Sequence, residues 1–157
     1  MSNDLTSEIK EFEQKFYAIT KENEVISNEL REVFNSKVEE ITPIIDLFKK
    51  KDWEFSHPDL PSASTTLGII VGRNIHTNRE LYVYDDESGF IRKVQASSPN
   101  SFVDDEKMSV YNFLQFCDLE FTFKGIEYTR TALQRILESA QTDNEKTKEL
   151  LKKLKEV

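Results

Sequence analysis

Apolar side chains recur at alternating steps of four and three from the start of the chain: Leu5, Ile9, Phe12, Phe16, Ile19, Ile26, Leu30 and Val33. This is a heptad rhythm, with Ile9, Phe16, Asn23 and Leu30 at a positions and Leu5, Phe12, Ile19, Ile26 and Val33 at d positions. The intervening residues are mostly Glu, Lys, Asn and Ser, and neither Gly nor Pro occurs before Pro43. The pattern predicts one helix from about Ser7 to at least Glu40. The stripe then slips by one residue, to Phe34, Val38, Ile41, Ile45 and Phe48, so the helix turns a different side to its surroundings. Pro43 lacks a backbone donor and is expected to kink or end the helix, with a second or bent segment over 43–51 docking on the rest of the chain.

Beyond residue 51 the pattern changes. Asp52 to Ser64 holds Pro58, Pro61 and small polar residues and reads as a linker or ordered loop. Three strands are expected at Thr66–Val71, Glu80–Tyr84 and Phe90–Gln95, joined by turns at Asn74–Asn78 and Asp85–Gly89 into an antiparallel meander. After a loop over Ser97–Ser101, Asp104 is expected to open a helix with Met108, Tyr111, Leu114 and Cys117 inward. Lys124-Gly125, between Leu119–Phe123 and Ile126–Tyr128, reads as a short hairpin. Thr129 then caps a helix with Leu133, Ile136, Leu137 and Ala140 inward. A last helix begins at Thr142 by its capping-box spacing, or else the two run on as one, since the phase from Leu133 to Leu154 is nearly continuous.

The expectation is therefore an α+β fold. A long N-terminal, coiled-coil-like amphipathic helix (1–51) forms an arm, and 52–157 form a compact domain of a small β-meander with C-terminal helices packed on the sheet.

Composition narrows the function. The 157 residues carry 11% aromatics and only four Gly and four Pro, so a folded core is expected. A single cysteine, Cys117, excludes an intrachain disulfide. The first residues are polar and acidic, without an apolar signal region, which points to the cytoplasm, or to the nucleus in a eukaryotic host. The longest apolar run, Leu67 to Val71, is too short to span a bilayer. Net charge is −8 and uneven. Residues 1–51 carry 8 basic and 11 acidic side chains (−3), 52–128 carry 6 and 13 (−7), and 129–157 carry 7 and 5 (+2). An acidic middle repels nucleic acid and membrane phosphate and favours a basic protein partner.

Motifs for catalysis are absent. His57 and His76 lie in separate expected loops, and neither forms zinc-ligand spacing with Cys117. Apolar neighbours around Cys117 predict a raised thiol pKa and an inert group. Asp85-Asp86-Glu87 and Asp104-Asp105-Glu106 could offer hard oxygen ligands, but they lack EF-hand spacing and fit a hairpin turn and a helix start. Gly68 and Gly72 have neither the Lys nor the following helix of a phosphate loop. Lys49-Lys50-Lys51 and the basic run at 152–155 suit helix C-termini. No cofactor is implied.

Two surfaces remain. The heptad stripe Leu5, Ile9, Phe12, Phe16, Ile19, Asn23, Ile26, Leu30 and Val33 predicts a homodimer seam, with Asn23 as the register-setting polar a position. Against it, Glu8 would face Glu13 of a parallel partner, and an intramolecular bundle with the C-terminal helices is the competing arrangement. The acidic residues Asp85, Asp86, Glu87, Asp104, Asp105 and Glu106 predict a surface for a basic partner. The expected function is thus a non-enzymatic interaction module, dimeric through the arm. The alternative is a small acidic inhibitor or immunity-type antagonist mimicking nucleic acid; a small enzyme without a sequence signature ranks third.

Overall fold

A computed structural model describes residues 2–74, 79–103 and 106–157. The chain is α+β, with a long N-terminal helix, antiparallel sheets of two and four strands, and C-terminal helices. In order the elements are α1 (Ser2–Lys51), β1 (Phe55–His57), β2 (Leu60–Thr65), β3 (Ile69–Arg73), β4 (Glu80–Asp85), β5 (Phe90–Gln95), β6 (Ser98–Phe102), α2 (Val110–Leu114), α3 (Leu119–Arg130) and α4 (Ala132–Lys155).

The slip in the apolar stripe of α1 marks the place where the helix enters the core. Val33 is 45% exposed, whereas its neighbour Phe34 is fully buried. From there Val38, Ile41, Ile45 and Phe48 pack with Phe55, Ile69, Val71, Ile91, Val110, Phe113, Leu114 and Ile126 in the main cluster. The boundary between arm and core thus falls inside α1, near Ser27, rather than at residue 51. Ser27 Oγ donates to Gln115 Oε1 at 3.1 Å, and the Arg31 guanidinium sits 5.8 Å from the Tyr111 ring centroid, so α2 holds the helix where it leaves the core.

Pro43 neither ends nor divides α1, which runs on to Lys51. Pro43 and Glu39, whose carbonyl loses its helical donor, are both exposed, so water can satisfy that carbonyl while the buried stripe continues on the far side. The helix stops at Asp52, whose φ of 54° turns the chain left-handed, and Trp53 N–H closes the end on Phe48 O at 2.9 Å.

β3, β4, β5 and β6 form the meander, antiparallel throughout. β4 pairs β5 without a break from Glu80↔Gln95 to Asp85↔Phe90. Two stretches expected as loops are edge strands instead. β1 and β2 form a hairpin, and β6 borders β5. Their prolines, Pro61 and Pro99, are tolerated because edge positions need not donate to a neighbour. Asn100 Oδ1 accepts from Thr66 N–H at 3.1 Å, tying the end of β2 to β6.

The Leu119–Tyr128 segment is helical, not a hairpin. Its buried positions, Phe121, Thr122, Gly125, Ile126 and Thr129, follow the helical period, and Asp118 caps it by accepting from Phe121 N–H at 3.2 Å. Gly125 is the reason α3 can lie close on β3: a Cβ there would stand 2.4 Å from the Ile70 carbonyl oxygen. Thr122 Oγ1 fixes the contact by donating to Val71 O at 2.7 Å. α2 starts at Val110 behind Ser109, whose Oγ accepts from Asn112 N–H at 3.1 Å, and Glu106 to Ser109 are not helical; the helix start expected at Asp104 lies outside the described residues. α4 is one uninterrupted helix through Thr142.

Candidate functional site

The N-terminal stripe points into solvent. Leu5, Ile9, Phe12, Phe16, Ile19 and Ile26 are 46–64% exposed, and every residue from Asp4 to Ile26 is exposed. Local contacts stiffen this stretch. Phe12 and Phe16 stack at 5.7 Å, Lys15 pairs with Glu11 at 3.0 Å, and the Lys21 ammonium lies 5.5 Å from the Tyr17 ring centroid. Asn23 is exposed on the same stripe. Leu30, the last a position, is partly buried against the core and so belongs only in part to this surface.

The C-terminal helix was expected to lay its stripe on the sheet. α3 does so, but α4 does not. Ala132 is the buried residue of α4, and Leu133, Leu137, Leu150, Leu151 and Leu154 are 41–63% exposed. The same periodicity serves a buried face and an exposed one, so the sequence could not separate them. The missing information was that α1 and α3 already occupy the positions against the sheet.

The described acidic residues differ in what engages them. Asp85 is buried and works inside the β4–β5 turn: its carboxylate accepts from Glu87 N–H at 3.2 Å and Ser88 Oγ at 2.8 Å, with Arg92 3.7 Å away. Asp86 pairs with Lys49 of α1. Glu87 and Glu106 are exposed, Glu106 standing 3.8 Å from Lys93. Asp104 and Asp105 lie outside the described residues, as does His76.

A cleft of about 430 Å³ opens between β3, β4 and the α2–α3 junction, walled by Tyr82, Phe113, Phe116 and Phe121. Its polar edge is Arg73, Asn74 and Asp118, and Asp118 is engaged as the α3 cap. Burial pushes the Cys117 thiol up, so it stays protonated near neutrality. His57 has both ring nitrogens engaged by backbone groups, and burial lowers its pKa. Among the described residues, no three His, Cys, Asp or Glu side chains are grouped to hold a metal ion.

No family model, no curated protein and no solved structure matches this chain. Among the described residues, no helix is long and apolar enough to cross a membrane.

Proposed function

We propose that this chain is a non-enzymatic protein-interaction module that self-associates through its N-terminal arm. One observation carries this: a heptad stripe of large apolar side chains stands exposed on a helix that its own core leaves uncovered from Asp4 to Ile26. A contiguous apolar surface of that kind marks an interaction site. Each Leu, Ile or Phe fully buried by a partner contributes roughly 1.5–3 kcal/mol, so a few layers suffice for a stable complex.

The excess acid of residues 52–128 favours a basic protein as a further partner over nucleic acid or a membrane surface. An acidic antagonist mimicking phosphates has less support, because Asp85 is spent inside a turn and Asp86 on Lys49.

Light scattering on a sizing column, over a range of concentrations, tests the proposal. A mass near twice 18.3 kDa is expected. A mass of 18.3 kDa at every concentration would overturn it.

A further inference from the structure

We infer that the surface covering the arm is α4 of a second copy of this chain, each copy laying its arm along the other's C-terminal helix. The inference rests on self-association and specifies which faces meet.

The two helices match in length. Residues 4–26 of α1 and 136–155 of α4 are exposed throughout. At 1.5 Å per residue these stretches run about 34 and 30 Å. They also match in charge. The arm carries six acidic and three basic side chains over residues 4–26, and α4 carries four acidic and six basic over 132–155, so −3 meets +2.

The stripes complement each other in shape. α4 has its own heptad, Leu133, Leu137, Ala140, Asn144, Thr147, Leu151 and Leu154, with large residues at both ends and small ones in the middle. The arm has the opposite profile, with the stacked Phe12–Phe16 pair near its centre. In an antiparallel pairing with a opposite d, Phe12 falls on Asn144 and Phe16 on Ala140, while Leu5 meets Leu151 and Ile19 meets Leu137. On the flank Lys15 faces Asp143, an opposite charge. Two arms paired in parallel would instead set Glu8 against Glu13 and crowd phenylalanines together. Reciprocal exchange between two copies closes under a two-fold axis and covers the arm stripe from Leu5 to Asn23.

Two full-length variants test this. Ile9→Asp/Phe16→Asp breaks the arm and Leu137→Asp/Leu151→Asp breaks α4. All four positions are at least half exposed, so neither variant disturbs its own core, and circular dichroism and melting that match wild type diluted to monomer confirm it. Each variant alone is expected at 18.3 kDa by light scattering, and an equimolar mixture at twice that mass, because an intact arm from one meets an intact α4 from the other. A dimeric α4 variant overturns this pairing and leaves the arm as a seam with itself; a mixture that stays monomeric beside a dimeric wild type overturns it too, because an intact arm and an intact α4 then fail to pair. A monomeric wild type overturns self-association and this inference with it.

Discussion

The imidazole of His57 lies flat on the ring of Phe121, with centroids 3.7 Å apart and planes 8° apart, and its Nε2–H donates to the carbonyl oxygen of that same residue at 2.8 Å. The other nitrogen, Nδ1, accepts from Asp59 N–H at 3.1 Å. One nitrogen must donate and the other accept, so the fold selects a single neutral tautomer. The histidine joins the β1–β2 hairpin to α3.

This joint makes stability depend on pH. Burial lowers the His57 pKa below its ordinary 6.5, although the Phe121 carbonyl and Asp59 pull the other way. The unfolded chain therefore takes up a proton that the folded chain resists. Stability is fullest above about pH 6.5 and falls on acidification through that value. Urea denaturation at a series of pH values should show this slope. His57→Phe keeps the ring contact and should flatten the slope, while costing about 1–3 kcal/mol at neutral pH for the orphaned backbone partners. An unchanged slope would show that another group is responsible.

Adjacent residues of α1 should respond very differently. Phe34→Ala empties a fully buried site that holds edge-to-face contacts with Tyr84 and Phe123, and should cost about 3–5 kcal/mol. Val33→Ala should leave a dilute, monomeric sample within about 0.5 kcal/mol of wild type. Thermal melts of the two variants decide the matter; similar losses would place the stripe slip elsewhere.

Gly125→Ala puts a methyl group against the Ile70 carbonyl. The gain in helix propensity, about 1 kcal/mol, should be outweighed by forced separation of α3 from β3. A net loss of about 1–3 kcal/mol is expected in chemical denaturation. Stabilisation would mean that α3 can move away without penalty.

At the β4–β5 turn, Asp85→Ala removes the acceptor for Glu87 N–H and Ser88 Oγ and should cost about 1–3 kcal/mol. Exposed Glu87→Ala should change stability by less than about 0.5 kcal/mol. Equal effects at the two positions would contradict the internal role of Asp85.

The elements most legible in the sequence were those whose periodicity had one interpretation. The long heptad of α1, its slip at Phe34, and β4 and β5 are where the pattern puts them. Alternation misled at Leu119–Tyr128, where Phe121, Phe123, Ile126 and Tyr128 suit a strand by propensity, yet Thr122, Gly125 and Thr129 set a helical buried face. Edge strands β2 and β6 carry Pro and Ser because solvent, not a core, faces one side. The stripe of the arm could be read from its spacing, but not that the chain's own helices leave it exposed. That α4 is exposed too depends on which elements reach the sheet first, a fact of three-dimensional competition and not of local pattern.

Because α1 is continuous, the arm grows out of a helix whose first turns are already set by the packing of Phe34 to Phe48. An isolated peptide must first form a nucleus, with a penalty of order 10⁻³ in equilibrium constant, before each further residue adds a bond. Here the core supplies that nucleus. The arm is thus carried as helix out to Ser2 by propagation from the core, and its apolar stripe is presented as a formed face instead of being assembled on contact.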